Sequence, residues 1–140
     1  MYSQPNTFVI EDDKAGNFLC KIILQSAGID NIKQHYMAHE ALEELKNMCD
    51  ANDTENFPYL IILDVNMPRM DAWDFLNEFR KLPQHVTSST NLYLYTSSDH
   101  ISDLEKSRMY PEVLGFLEKP LTPEIASRLK DKYFSLRMVA

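Results

Sequence analysis

The chain is poor in the residues that build unusual folds. Two cysteines in 140 residues, Cys20 and Cys49, make neither a disulfide framework nor a zinc pattern. Both fall in helix-like stretches, which predicts free thiols in a reducing compartment. Three glycines exclude a collagen-like or linker-dominated chain. No apolar stretch approaches the roughly 20 residues of a membrane span; the longest near the middle is Tyr59–Leu63. The N-terminus, Met1 to Asn6, lacks the basic region and apolar run of a secretory signal. Positive charge is also short: 14 Lys and Arg face 21 Asp and Glu, a net charge of −7. Such a surface repels phosphate backbones, so neither nucleic acid nor membrane is expected as a direct partner, whereas a cation or a basic protein face is compatible. A soluble, cytoplasmic protein is expected.

What is there is ordinary globular material: 44% hydrophobic and 25% charged. A domain takes about 100–200 residues, so one domain is expected. A chain of this size buries roughly 68–70% of its unfolded surface and needs no disulfide or structural metal to fold. Strands are predicted at Thr7–Ile10, Ile32–Met37, Tyr59–Leu63, Leu92–Tyr95 and Val113–Leu117. The second is polar and suits a sheet edge; the third is continuously apolar, as in a strand covered on both faces. Helical periodicity runs over Ala15–Ser26, Glu40–Met48, Asp71–Arg80, a segment capped by Ser98 or Asp99 and reaching about Met109, and Pro123–Arg137. In the first helix Phe18, Leu19, Ile22 and Ile23 form the expected inner face, with Gly28 as the stop. Asp50–Pro58 and Pro83–Thr90 read as loops. Strictly alternating strands and helices imply an α/β fold: a doubly wound parallel sheet with helices on both faces.

Ligands of such sheets bind beyond the carboxyl ends of the strands. There the chain places Glu11-Asp12-Asp13, Asp64, Thr96-Ser97-Ser98 and Lys119-Pro120. Carboxylates gathered there repel one another unless a cation is present, and Mg²⁺ suits an all-oxygen set that leaves room for waters. Asp13 and Asp64 are expected as direct ligands, Asp12 through water, and the backbone carbonyl of Asn66 as a further one. Asp64, fixed at a strand tip, is placed to attack phosphorus. Lys119 would supply a second positive charge and Thr96 a hydrogen bond to a phosphoryl oxygen. Alone, each of these is more simply a turn residue, a helix cap or a solvated loop; the weight lies in their order and strand placement.

Val9-Ile10-Glu11-Asp12-Asp13, Ile62-Leu63-Asp64-Val65-Asn66-Met67-Pro68-Arg69-Met70-Asp71, Tyr95-Thr96-Ser97-Ser98 and Gly115-Phe116-Leu117-Glu118-Lys119-Pro120 resemble the receiver domains of two-component response regulators. The likeness runs from about Thr7 to Arg137. It implies a flavodoxin-like, CheY-like sheet in the order 2-1-3-4-5, and a single receiver over 1–140 with no output domain. It further implies Asp64 as phosphoacceptor, Asp12 and Asp13 as the acidic pair holding Mg²⁺, Thr96 and Phe116 as the switch pair, and Lys119 as the phosphoryl-pairing lysine with a cis bond to Pro120. Ala72 stands where the family usually has glycine, Ser97 where a small alanine is common, and Asn66 and Ser98 at two variable flanking positions.

The resemblance implies transfer from a sensor histidine kinase or histidine phosphotransfer protein to Asp64, with readout by a downstream protein at the helix–strand–helix from about Asp99 to Arg137. A homodimer through the fourth and fifth helices is compatible with it. Such a protein is no enzyme beyond catalysing its own Mg²⁺-dependent phosphorylation and dephosphorylation. Two rivals differ in kind. A phosphatase of the haloacid dehalogenase type also uses Asp, Mg²⁺ and Lys, but wants a second Asp where this chain has Asn66. A degenerate receiver would keep the fold as a docking module, against which the full acid, Thr and Lys set argues. His35, His39, His85 and His100 lack metal spacing, and Tyr93 and Tyr95 read as strand core.

Overall fold

The computed structural model describes residues 4–97 and 101–135. Five strands, β1 (Thr7–Ile10), β2 (Ile32–His35), β3 (Leu60–Asp64), β4 (Asn91–Thr96) and β5 (Val113–Glu118), form one sheet. Its order is β2-β1-β3-β4-β5 and every pair is parallel. The helices are α1 (Lys14–Ser26), α2 (Ala38–Asp50), α3 (Ala72–Phe79), the short α4 (Gln84–Thr87), α5 (Ile101–Ser107) and α6 (Pro123–Tyr133). The Ser98 or Asp99 cap expected for α5 lies outside the described residues, as does Leu136 of the last helix. No helix among the described residues is long and apolar enough to cross a membrane.

Aliphatic content explains the strand order. β1 and β3 are buried along their whole length, as central strands covered on both faces must be. β2 and β5 are only partly buried and take the edges. Phe8, Ile10, Ile61 and Leu63 pack with α2 and α3 residues on one face. Val9, Leu60 and Ile62 pack with Cys20, Leu24, Ala126 and Leu129 of α1 and α6 on the other. Each such side chain withdrawn from water contributes roughly 1.5–3 kcal/mol, so the central strands are the least movable platform in the molecule.

Two expectations are corrected. The buried stripe of α1 is Asn17, Cys20 and Leu24, whereas Phe18, Leu19 and Ile22 are 60%, 45% and 43% exposed. The helix carries two apolar stripes, and the one that turns inward contains an asparagine, which an apolarity pattern passes over. Asn17 tolerates full burial because its amide is satisfied: Nδ2 donates to the carbonyls of Glu11 and His35, and Oδ1 accepts from Gln34. The loop expected at Pro83–Thr90 contains α4, anchored by buried Val86; a single helical turn with one apolar residue has no period to read. Gly28 does end α1: it takes φ +96°, open to glycine at little cost, and its N–H closes on the Gln25 carbonyl.

Candidate functional site

The strand ends decide what meets. Register pairs Ile10 of β1 with Leu63 of β3, so the residue level with Asp64 on the neighbouring strand is Glu11. Glu11 is 2% exposed and Asp64 3%. With Asp12 they offer carboxylate oxygens lying within 4.8 Å of one another. The acidic pair beside Asp64 is therefore Glu11–Asp12, which corrects the expected Asp12–Asp13. By Asp13 the chain has already turned into α1: Asp13 Oδ2 accepts the Gly16 N–H at 3.0 Å as the helix N-cap. Gly16 is needed for that closeness, because a Cβ there would stand 2.9 Å from the same oxygen. The sequence signal for Glu11 is its place as the first residue beyond the strand Thr7–Ile10; the Asp-Asp pair that follows masks it.

Lys119, one residue past β5, reaches across the strand ends. Its Nζ lies 2.5 Å from Glu11 Oε1 and 2.9 Å from Asp64 Oδ1. The Asn66 N–H also donates to Asp64 Oδ1 at 3.2 Å, so two donors orient that carboxylate. The Lys119–Pro120 bond is cis, and the Lys119 N–H donates to the Thr96 carbonyl at 2.7 Å, tying the turn after β5 to the end of β4. Thr96 is 8% exposed. Phe116 is half-buried and packs on the α2–α3 side of the sheet. Glu11, Asp12, Asp64, Asn66, Thr96 and Lys119 line one open pocket of about 520 Å³; Asp13 and Tyr95 also line it, with Leu19 of α1 at its wall.

Three carboxylates and one ammonium leave an excess of negative charge. Burial, then the hydrogen bond with Glu11, pushes the Asp64 carboxyl up to about 8, against the pull of Lys119. Burial alone would also raise Glu11, but its bonds with Asp64 and Lys119 outweigh that and hold it below the ordinary range. Lys119 is held above its usual range: burial would lower it, and the two carboxylate bonds overcome burial. Without a cation, then, the crowding of negative charge favours retention of a proton by the Glu11–Asp64 pair as a unit. An all-oxygen donor set of this charge, opening on a pocket with room for waters, fits a hard divalent ion.

The sequence model of the response regulator receiver domain matches residues 7–130. The chain belongs to that family. As a receiver domain of two-component systems it has curated and structural relatives. It is 26% identical over 113 residues to the osmosensing histidine protein kinase SLN1 of Saccharomyces cerevisiae, a match that covers 81% of this chain and only 9% of the kinase. The fold superposes on a two-component response regulator from Cytophaga hutchinsonii with TM-score 0.81 at 24% identity, covering 94% of this receiver and 98% of that one. It also superposes on the Mn²⁺-bound form of the response regulator Rcp1 with TM-score 0.72 at 20% identity, covering 97% and 99%. The five-stranded sheet in the order β2-β1-β3-β4-β5 is thus a fold shared with solved response regulators.

Proposed function

We propose that the receiver accepts a phosphoryl group on Asp64 from a phosphohistidine donor. The observation that carries this reading is the bridging position of Lys119 between Glu11 and Asp64 at the tip of a fully buried strand. Glu11, Asp12 and Asp64, with the Asn66 carbonyl, would hold Mg²⁺, which when bound neutralises charge developing on the phosphoryl oxygens. The Mn²⁺-bound form of Rcp1 supports a divalent ion for this chain. Asp13 keeps its role as a cap.

In the step itself an Asp64 carboxylate oxygen forms a bond to phosphorus as the phosphorus–nitrogen bond of the donor breaks. The imidazole nitrogen leaves with the electron pair and takes a proton from solvent. Lys119 gives up part of its hold on Asp64 to pair with a phosphoryl oxygen, and Glu11 keeps the ammonium oriented. Thr96 donates to another phosphoryl oxygen, and Phe116 fills the space that the shift of Thr96 opens. The changed surface is α5–β5–α6, to which a downstream protein or a second copy binds. Catalysis is confined to the protein's own Mg²⁺-dependent phosphorylation and dephosphorylation.

The donor is a sensor histidine kinase or a histidine phosphotransfer protein, consistent with the kinase named among the relatives. Leu19 of α1 lines the pocket wall and, like Phe18 and Ile22 of the same helix, is exposed; this apolar surface suits the apolar face of such a donor. Incubation with labelled acetyl phosphate and Mg²⁺ tests the reading. Label is expected in the wild type and lost in Asp64→Asn and on chelation; label retained at full stoichiometry in Asp64→Asn rejects Asp64 as acceptor.

A further inference from the structure

Lys119 is held from below by a residue that the phosphoacceptor reading does not use. Tyr95 sits one residue before the end of β4, in register with Asp64 on one side and Leu117 on the other. It is 3% exposed. A phenylalanine would fill the same space in a strand core, and a buried hydroxyl needs a partner to be tolerated there. This one has a specific partner. The Tyr95 oxygen accepts the Leu121 N–H at 2.9 Å, a buried bond spanning 26 residues. Leu121 lies beyond the β5 ladder, which stops at Glu118, so no strand neighbour is available to that donor. The Cys20 thiol lies beside the same hydroxyl.

The ring does a second thing. The Lys119 ammonium stands 5.2 Å from its centroid, within cation–π reach. One side chain therefore fixes both ends of Lys119: the backbone of the turn through Leu121 and the ammonium through the ring face. The third tie is the Lys119 N–H on the Thr96 carbonyl. The ammonium is left with two carboxylates to choose between, and a slack turn would let it settle wholly on Glu11, out of reach of a group arriving at Asp64.

We propose that Tyr95 is a positioning residue for phosphoryl transfer, setting the Lys119 ammonium where it meets the incoming phosphoryl oxygens. The proposal rests on the phosphoacceptor reading of Asp64; Tyr95 lines the pocket and acts through Lys119, whose turn and ammonium it holds.

Tyr95→Phe keeps the ring and removes the acceptor for Leu121; Tyr95→Leu removes both. Three quantities are read: the rate of labelling by acetyl phosphate at saturating Mg²⁺, the Mg²⁺ dissociation constant by calorimetry, and the side-chain ¹H–¹⁵N resonance of Lys119. Tyr95→Phe is expected to label about tenfold more slowly, a small misplacement of a catalytic group being enough for that, with Mg²⁺ affinity held within about twofold. Tyr95→Leu is expected to be slower still and to lose the upfield ring-current shift of the Lys119 resonance, which Tyr95→Phe keeps. Wild-type rates in both variants would overturn the proposal. So would a fall in Mg²⁺ affinity matching the fall in rate, since a general loosening of the pit produces that. A wild-type chain that takes no label would instead sink the phosphoacceptor reading, and the Lys119 resonance in Tyr95→Leu would still decide whether the ring holds the ammonium.

Discussion

Asp64 carries a conflict that its surroundings only partly relieve. Its carboxyl is raised from an ordinary 3.8 to about 8 by burial and by Glu11. A carboxyl raised on folding contributes stability that is complete below its unfolded value and is lost as pH climbs through the folded value. The metal-free protein is therefore predicted to melt at lower temperature as pH rises from about 5 to about 9. Asp64→Asn should flatten that slope, and Mg²⁺ should flatten it in the wild type because binding displaces the same proton. Thermal melts across that range, with and without Mg²⁺, check this; an unchanged slope in Asp64→Asn would place the titrating group elsewhere. Lys119→Ala removes the positive partner of two buried carboxylates and should cost about 1–3 kcal/mol in chelator, with much of it restored by Mg²⁺. Denaturant melts read that difference directly.

Elements were more legible than the faces they present. The apolar run Leu60–Leu63 and the helical period of α6 announced themselves, because burial on both sides of a sheet and a 3.6-residue stripe leave plain marks. Two things did not. The rotation of α1 hung on Asn17, a polar residue that goes inside because the ends of β1 and β2 offer it three partners. The acid pair hung on where β1 stops, and a shift of one residue exchanges Glu11 for Asp13. Both are properties of pairing between distant segments, invisible to a local pattern. The corrected rotation has a measurable consequence. Leu24→Ala should cost about 2–5 kcal/mol, while Phe18→Ser and Ile22→Ser should change stability by less than about 0.5 kcal/mol. The two serine variants should slow transfer from a phosphorylated histidine protein while leaving labelling by acetyl phosphate intact. In α3, Asp71 and Asp74 form a reciprocal capping box, so Asp71→Ala should lower stability by about 0.5–2 kcal/mol.

At the scale of the whole molecule, the two apolar layers hold a nearly rigid sheet, and the charged groups gather at its carboxyl edge from β1, β3 and the turn after β5. That division of labour explains why four short segments, far apart in the chain, could be read together: each is the last residue or two of a strand, or the first beyond it. In the proposed reaction the singly charged Asp64 carboxylate would become an acyl phosphate carrying nearly two negative charges beside Lys119, and a bias of a few kcal/mol would be enough to exchange two arrangements of the turns after β4 and β5. The most direct test of the account is chemical. The protein is phosphorylated by a phosphohistidine donor in Mg²⁺, reduced with borohydride so that an aspartyl phosphate becomes homoserine, and digested for mass spectrometry. The account predicts homoserine at position 64, absent when Mg²⁺ is chelated; homoserine at position 12 or 13, or a phosphate that survives borohydride on a hydroxyl, would contradict it.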